Sequence, residues 1–193
     1  GNGLIVQGTG NVLTAAYSDN NINNDRYLLK VYPLGALEFK YPFFRGKNNK
    51  SEVLIPVAQV VYSTDTSSPE RSIDEDSSTT EFDSTTLFKL RKIPGIDRQE
   101  NGLRLNAGLQ YFYEYKNNYK YNVNLGQVYR NKNSEDFLPS SGLNGYESDI
   151  LLSGNLSFRK NLEIASKHVY SKNFTLKRSN TSLKLTKPRY QIK

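Results

Sequence analysis

An all-β fold, an antiparallel up-and-down transmembrane β-barrel segment, is what the 193-residue sequence predicts, and three observations predict it. The first is the period of two in LRLNAGLQYFYEY (103–115). Leu103, Leu105, Leu109, Tyr111, Tyr113 and Tyr115 fall on one face, and Arg104, Asn106, Gly108, Gln110 and Glu114 on the other. The second is length. At roughly 3.3 Å per residue this stretch spans about 40 Å, and tilted by about 45° it covers an apolar band near 25 Å tall. Soluble strands usually stop at about five or six residues. The third is the alternation of short connections with long ones, which is the rule for barrels with short periplasmic turns and long external loops.

Taken in order, the strands are expected near 3–17, 27–43, 52–64, 102–115, 119–130, 148–158, 162–170 and 174–186, with a further start near 190. That makes about nine strands of a larger barrel, all in one domain spanning 1–193. The connections are 18–26, 44–51, 65–101, 116–118, 131–147, 159–161, 171–173 and 187–189. The second, fourth, sixth and eighth are short. The first, third and fifth are long, and 65–101 is the longest. Convincing helical periodicity is absent. The segment EVLIPVAQVVYST (52–64) is apolar on both faces, so it should pack against an internal element as well as lipid. Pro56 lacks an N–H, so a bulge or a gap in pairing is expected beside it.

The hairpin 103–130 can be registered. A LysAsnAsn turn at 116–118 sets Tyr115 opposite Tyr119, Tyr113 opposite Tyr121, Tyr111 opposite Val123 and Leu109 opposite Leu125. The tyrosines gather beside the turn and aliphatics lie beyond, the order of an interfacial aromatic girdle followed by a lipid-facing band. Cross-strand aromatic pairing in a soluble sheet is the plain alternative. The lipid-facing set is thus Leu103, Leu105, Leu109, Tyr111, Tyr113, Tyr115, Tyr119 and Tyr121. Gln127, opposite Ala107, interrupts that face. The lumen-facing set is Arg104, Asn106, Gly108, Gln110, Glu114, Lys120, Asn122, Asn124, Gly126 and Arg130. Glu114 meets Lys120. Gly108 meets Gly126, leaving either a hollow that another element can enter or a bend in the wall. Arg104 meets Arg130, which requires an anion between them: a loop carboxylate such as Asp97, or a ligand phosphate.

Composition narrows the function. Hydrophobic residues make up 36%, yet aromatics reach 12% with 14 Tyr, so the chain is not disordered by composition. The net charge of +7 admits ordinary solubility or an anionic partner. No apolar run is long enough for a transmembrane helix, which leaves barrel strands untouched. With no Cys and a single His168, zinc and Cys–His chemistry are unavailable and no metal site is expected. The acidic run IDEDSSTTEFD (73–83) lacks the spacing and glycine of a calcium loop. No phosphate-binding motif appears and no cofactor is implied. The tyrosines lie opposite the charges, which argues against nucleic acid.

One loop is more distinctive. FDSTTLFKLRKIPGIDR (82–98) sets Leu87 and Phe88 mid-loop, then ProGly, then AspArg shortly before a strand. This resembles the barrel of the lipopolysaccharide-assembly protein family LptD, with its Asp, LeuPhe and Gly-x-AspArg pattern. NLGQVYR (124–130) is similar to that family's GlyGln-x-Tyr strand. LEFKYPF (37–43), EVLIPVAQVVYS (52–63) and SSGLNGYESD (140–149) are similar to other segments in the same order, and Ile55-Pro56 departs from a frequent GluPro.

The resemblance covers about 27–160 closely. It implies a translocon in the cell outer membrane, not an enzyme, that inserts lipopolysaccharide into the outer leaflet. Its partners would be lipopolysaccharide, outer-membrane lipid, an LptE-like plug lipoprotein and periplasmic bridge proteins acting through an N-terminal domain absent here. It also implies that loop 65–101 folds over or into the lumen through Asp83, Leu87, Phe88, Gly95, Asp97 and Arg98, with Asp97 or Arg98 paired to a lumen charge such as Arg104. An internal or C-terminal-half fragment is expected. The alternatives are a porin or receptor-type barrel, and a soluble carbohydrate-binding β-sandwich.

Overall fold

The computed structural model describes residues 3–21, 24–64, 80–93, 100–116, 118–134, 137–159 and 161–186, with backbone alone at 15, 17–21 and 24–30. Among the described residues nine strands form one antiparallel sheet: β1 (Ile5–Asn21), β2 (Asn24–Lys40), β3 (Phe43–Lys47), β4 (Lys50–Ser63), β5 (Gly102–Tyr115), β6 (Tyr119–Arg130), β7 (Ile150–Phe158), β8 (Leu162–Tyr170) and β9 (Leu176–Leu185). The spatial order follows the chain, with β3 joined only to β4. Among the described residues β1 and β9 are the two edges, so the sheet is an open wall.

The up-and-down plan is the expected one, but several boundaries move. The expected first loop, 18–26, is largely strand: β1 and β2 stay paired out to Asn21 opposite Asn24. Its Asn and Asp residues suit turns, and here the continuing ladder overrides that preference. The expected loop 44–51 shrinks to Asn48-Asn49, both at positive φ (51° and 62°), flanked by paired Lys47 and Lys50. Two consecutive left-handed residues make the tight turn that matches strand twist, and Asn tolerates that conformation.

The expected strand 27–43 is broken at Tyr41-Pro42 into β2 and β3. Pro56 lies opposite this break, so neither proline has an N–H to give, and the Tyr41 N–H still reaches the Pro56 carbonyl at 3.2 Å. The gap expected beside Pro56 is therefore found, on its β2–β3 side, while its pairing with Leu109 of β5 persists. This break brings the count to nine. The start expected near 190 lies outside the described residues.

The register of β5 with β6 is the one the LysAsnAsn turn predicts, from Tyr115 opposite Tyr119 to Arg104 opposite Arg130. Neighbouring turns are stitched into a rim. Lys116 N–H donates to the Asn49 carbonyl (3.1 Å), Arg159 N–H to that of Asn118 (2.6 Å) and Thr186 N–H to that of Asn161 (2.8 Å). The opposite end carries the long connections 64–101 and 131–149. These supply one turn of helix, α1 (Ser84–Leu87), where no helix was expected, and a single 3-10 turn at Pro139–Ser141.

The core is not between sheets. It lies between the long loops and one face of the wall. Phe82, Leu87 and Ile93 from the first loop and Phe137 and Leu143 from the second close over Val128, Leu151 and Val169 of β6, β7 and β8. Leu90 packs on a second cluster, Leu34, Ala36 and Val61, of β2 and β4. The internal element expected against 52–64 is thus Leu90 of the infolded loop.

Candidate functional site: a loop seated on the polar face of the wall

The loop is shaped before it is seated. Asp83 starts α1 with a reciprocal cap. Its Oδ1 accepts from the N–H groups of Thr85 and Thr86, both at 2.9 Å, and its own N–H donates to Thr86 Oγ1 at 2.8 Å. This satisfies donors that a helix start leaves open. Burial pushes the Asp83 carboxyl up, but the bonds from Thr85 and Thr86 and the nearby Lys167 charge outweigh it and hold it below the usual carboxylate range. Asp83 thereby fixes the turn from which Leu87 and Phe88 project.

Both side chains enter the hollow made by Gly108 and Gly126, which pair across β5 and β6. A Cβ at Gly108 would stand 2.8 Å from Phe88 Cζ and 3.3 Å from Leu87 Cδ2, and one at Gly126 would overlap Leu87 and lie 2.9 Å from the Ala107 carbonyl. Of the two readings of this glycine pair, an entry point for another element is the one found. No side chain other than hydrogen leaves this room.

Charge is buried beside the hollow. Arg104 and Arg130 do face each other, and the anion between them is Glu100. Glu100 Oε2 lies 3.2 Å from Arg104 Nη1, and Oε1 accepts from Arg130 Nη2 at 2.8 Å and Nε at 3.1 Å. The three side chains are 3–5% exposed. Arg104 also donates to the Leu90 carbonyl. Burial pushes the Glu100 carboxyl up, but Arg104, Lys92 and Arg130 together hold it below the usual range. The partner expected for Arg104 was Asp97 or Arg98. The described carboxylate is Glu100, and Gly95, Asp97 and Arg98 lie outside the described residues.

A second polar chain runs across three strands. Lys92, 1% exposed, donates to the Lys89 carbonyl (3.0 Å) and to Asn106 Oδ1 (3.2 Å). Asn106 donates to Gln59 Oε1 (2.6 Å), and Gln59 to Glu38 Oε2 (3.0 Å). Burial lowers the Lys92 pKa to about 7, against the pull of Glu100.

The second loop is tied to the first and to the wall. Phe82 N–H donates to the Ser141 carbonyl (3.2 Å), Ser148 N–H to that of Val128 (2.8 Å), and Arg178 Nη2 to that of Phe82 (3.1 Å). Lys177 pairs with Asp149 at 2.9 Å.

Of the residues singled out in sequence, Arg104, Asn106, Gly108, Gly126 and Arg130 are gathered with Asp83, Leu87 and Phe88 on the loop-covered face. Gln110, Glu114, Lys120, Asn122 and Asn124 share that face by alternation but lie further along, towards the turns; Glu114 and Lys120 pair there at 3.0 Å. Leu103, Leu105 and Leu109 are exposed on the other face. On that face Tyr113 stacks on Tyr121 (4.8 Å between centroids), with Tyr111 at 5.7 Å from the same ring and Tyr115 at 6.2 Å from Tyr119. Gln127, the interruption, donates to the Ser148 carbonyl at 2.9 Å and accepts from Tyr129 at 2.8 Å, so its amide is satisfied locally.

Sequence reasoning missed Glu100, Lys92, Val128, Leu151 and Val169. A signal existed for the last three: they are apolar exceptions on the polar face, all towards the long-loop end.

An antiparallel wall, apolar on one face and polar on the other, with long loops folded onto the polar side at one end, defines the class: a segment of an up-and-down β-barrel with an infolded loop. The model of the LptD family, the D component of the lipopolysaccharide transport system, matches residues 9–192. The chain belongs to the LptD family, a family of outer-membrane transport and assembly proteins. No curated protein matches it.

Proposed function

We propose that this chain forms part of the wall of an outer-membrane translocon that delivers lipopolysaccharide to the outer leaflet, with loop 80–93 seated on the lumenal face. The observation that carries this is the seat itself. Gly108 and Gly126 leave a hollow on the polar face, and a capped turn fills it with Leu87 and Phe88. A wall built this way has an inner side closed by protein near the long loops and open near the short turns.

On this reading Arg104, Asn106, Gly108, Gln110, Glu114, Lys120, Asn122, Asn124, Gly126 and Arg130 face the lumen. Leu103, Leu105, Leu109 and the five girdle tyrosines face lipid. Asp83, Leu87 and Phe88 hold the loop, and Gly95, Asp97 and Arg98 continue its anchoring. The chain supplies a surface for passage and carries out no bond-making chemistry. A barrel that exposes no strand edge to lipid needs further strands beyond β1 and β9. The remaining barrel, a periplasmic domain contacting the bridge proteins and an LptE-like plug in the lumen belong to the same proposal.

A photo-crosslinking amino acid at Gln110 or Asn124 in the full-length protein tests it. Lipopolysaccharide adducts are expected at both positions during transport. Their absence, together with free diffusion of small solutes through the barrel, would favour a porin.

A further inference from the structure

The turn end of the wall carries cations that the fold itself does not neutralise. Three of its basic residues have carboxylate partners: Arg45 with Glu52 at 2.7 Å, Lys120 with Glu114 at 3.0 Å and Lys184 with Glu163 at 3.5 Å. Four others, Lys47, Lys50, Lys116 and Arg159, are exposed and meet no carboxylate among the described residues. At the long-loop end Lys167, Lys172 and Lys177 have acidic partners, while Lys89 and Lys132 are exposed and meet no carboxylate among the described residues.

The four unpaired cations are ordered. They sit on or beside the turns of three successive hairpins, whose backbones are bonded into one rim. Register places Lys47 and Lys50 opposite each other and Lys50 opposite Tyr115, on the tyrosine-bearing face. Lys50 and Lys116 stand 5.8 Å and 5.3 Å from the centroid of the Tyr115 ring, and the Arg159 guanidinium 5.2 Å from that of Phe158. Phe158 in turn packs on Tyr119 at 4.7 Å. Moving outward along the strands, the surface runs from aliphatic Leu109 and Leu125 to the aromatic belt, then to positive charge.

We propose that this rim is a binding surface for anionic glycerophospholipid headgroups of the leaflet at the turn end. Aromatic rings favour the boundary between acyl chains and headgroups, and cations just beyond them lie at phosphate depth. Seating Lys50, Lys116 and Arg159 over rings limits their freedom before lipid arrives, which lowers the ordering cost of binding. The proposal rests on the membrane-spanning reading of the wall and adds to it a lipid preference at one end.

The test uses the full-length protein in nanodiscs of phosphatidylethanolamine alone or mixed with phosphatidylglycerol. Lipids retained on mild detergent extraction are counted by mass spectrometry. The native protein should enrich phosphatidylglycerol over the bulk mixture on the order of fivefold. The combined variant Lys47→Gln, Lys50→Gln, Lys116→Gln and Arg159→Gln should lose the enrichment, and Lys172→Gln at the other end should retain it. Equal retention by native and combined variant would overturn the inference, and so would displacement of the lipid by inorganic phosphate, which would indicate a small-anion site. Failure of the protein to insert into either nanodisc would instead overturn the membrane-spanning reading, and this inference with it.

Discussion

At the long-loop end of the β5–β6 hairpin, Glu100 joins Arg104 and Arg130 in a buried triad. At the turn end of the same hairpin, Glu114 and Lys120 make an opposite-charge pair with side chains 40% and 56% exposed. Arg104 opposite Arg130 and Glu114 opposite Lys120 lie on one face of the same ladder. Their energetics differ because water reaches one and not the other. The exposed pair exchanges one hydrated state for another and contributes little. Once the triad is desolvated, both arginines depend on the one carboxylate, so removing Glu100 strands two buried cations. The loops therefore make one end of the wall fixed and leave the other adaptable.

Glu100→Gln probes that difference most severely. It leaves Arg104 and Arg130 opposed without an anion and should destabilise the loop seat by about 3–5 kcal/mol. Hydrogen exchange of the 80–93 amides should rise towards that of an open loop, and unchanged protection would mean the triad is not the fastening.

The next largest effect comes from pH. The Lys92 pKa is about 7 when folded and 10.5 ordinarily, so above pH 7 the released loop binds more protons than the seated one. The cost of burying this charge is fully present below pH 7 and is relieved as pH rises towards 10. Loop protection, corrected for intrinsic exchange, should increase over that window, and Lys92→Met should flatten the trend.

Gly126→Ala pushes a methyl group into Leu87 and should cost about 1–3 kcal/mol. Shortening Leu87 to Ala in the same protein should recover part of that loss, because the two changes meet in one space. Additive losses would show that they do not. Glu114→Gln at the turn end should alter stability by no more than about 0.5 kcal/mol, as read from the urea midpoint of the folded barrel in detergent.

Much of the wall is legible in the sequence. Alternation along 103–115 and the turn at 116–118 set the β5–β6 register, because a one-residue slip would turn every side chain over. The glycine pair could be seen as a hollow for the same reason: register alone placed Gly108 beside Gly126. What filled it was harder to assign. Leu87 and Phe88 stand out as apolar residues in a polar loop, but Lys92 and Glu100 look like any solvated loop charges, and their burial depends on the path the loop takes back to the wall. That path is a tertiary property with no local period. The extension of β1 and β2 through an Asn-rich stretch was missed for a related reason: propensity favours a turn there, and cross-strand pairing overrides it.

The central claim is that one face of this wall meets lipid and the other meets the seated loop and a lumen. Spin-label accessibility tests it most directly, and residues 1–193 contain no Cys of their own. Single cysteines at Leu105, Leu109 and Leu125, and at Gln110 and Asn124, would be labelled in the full-length protein reconstituted in bilayers. The account predicts high oxygen and low polar-reagent collision rates at the three leucine positions, and the reverse at Gln110 and Asn124. Equal exposure of both sets to the polar reagent would contradict it.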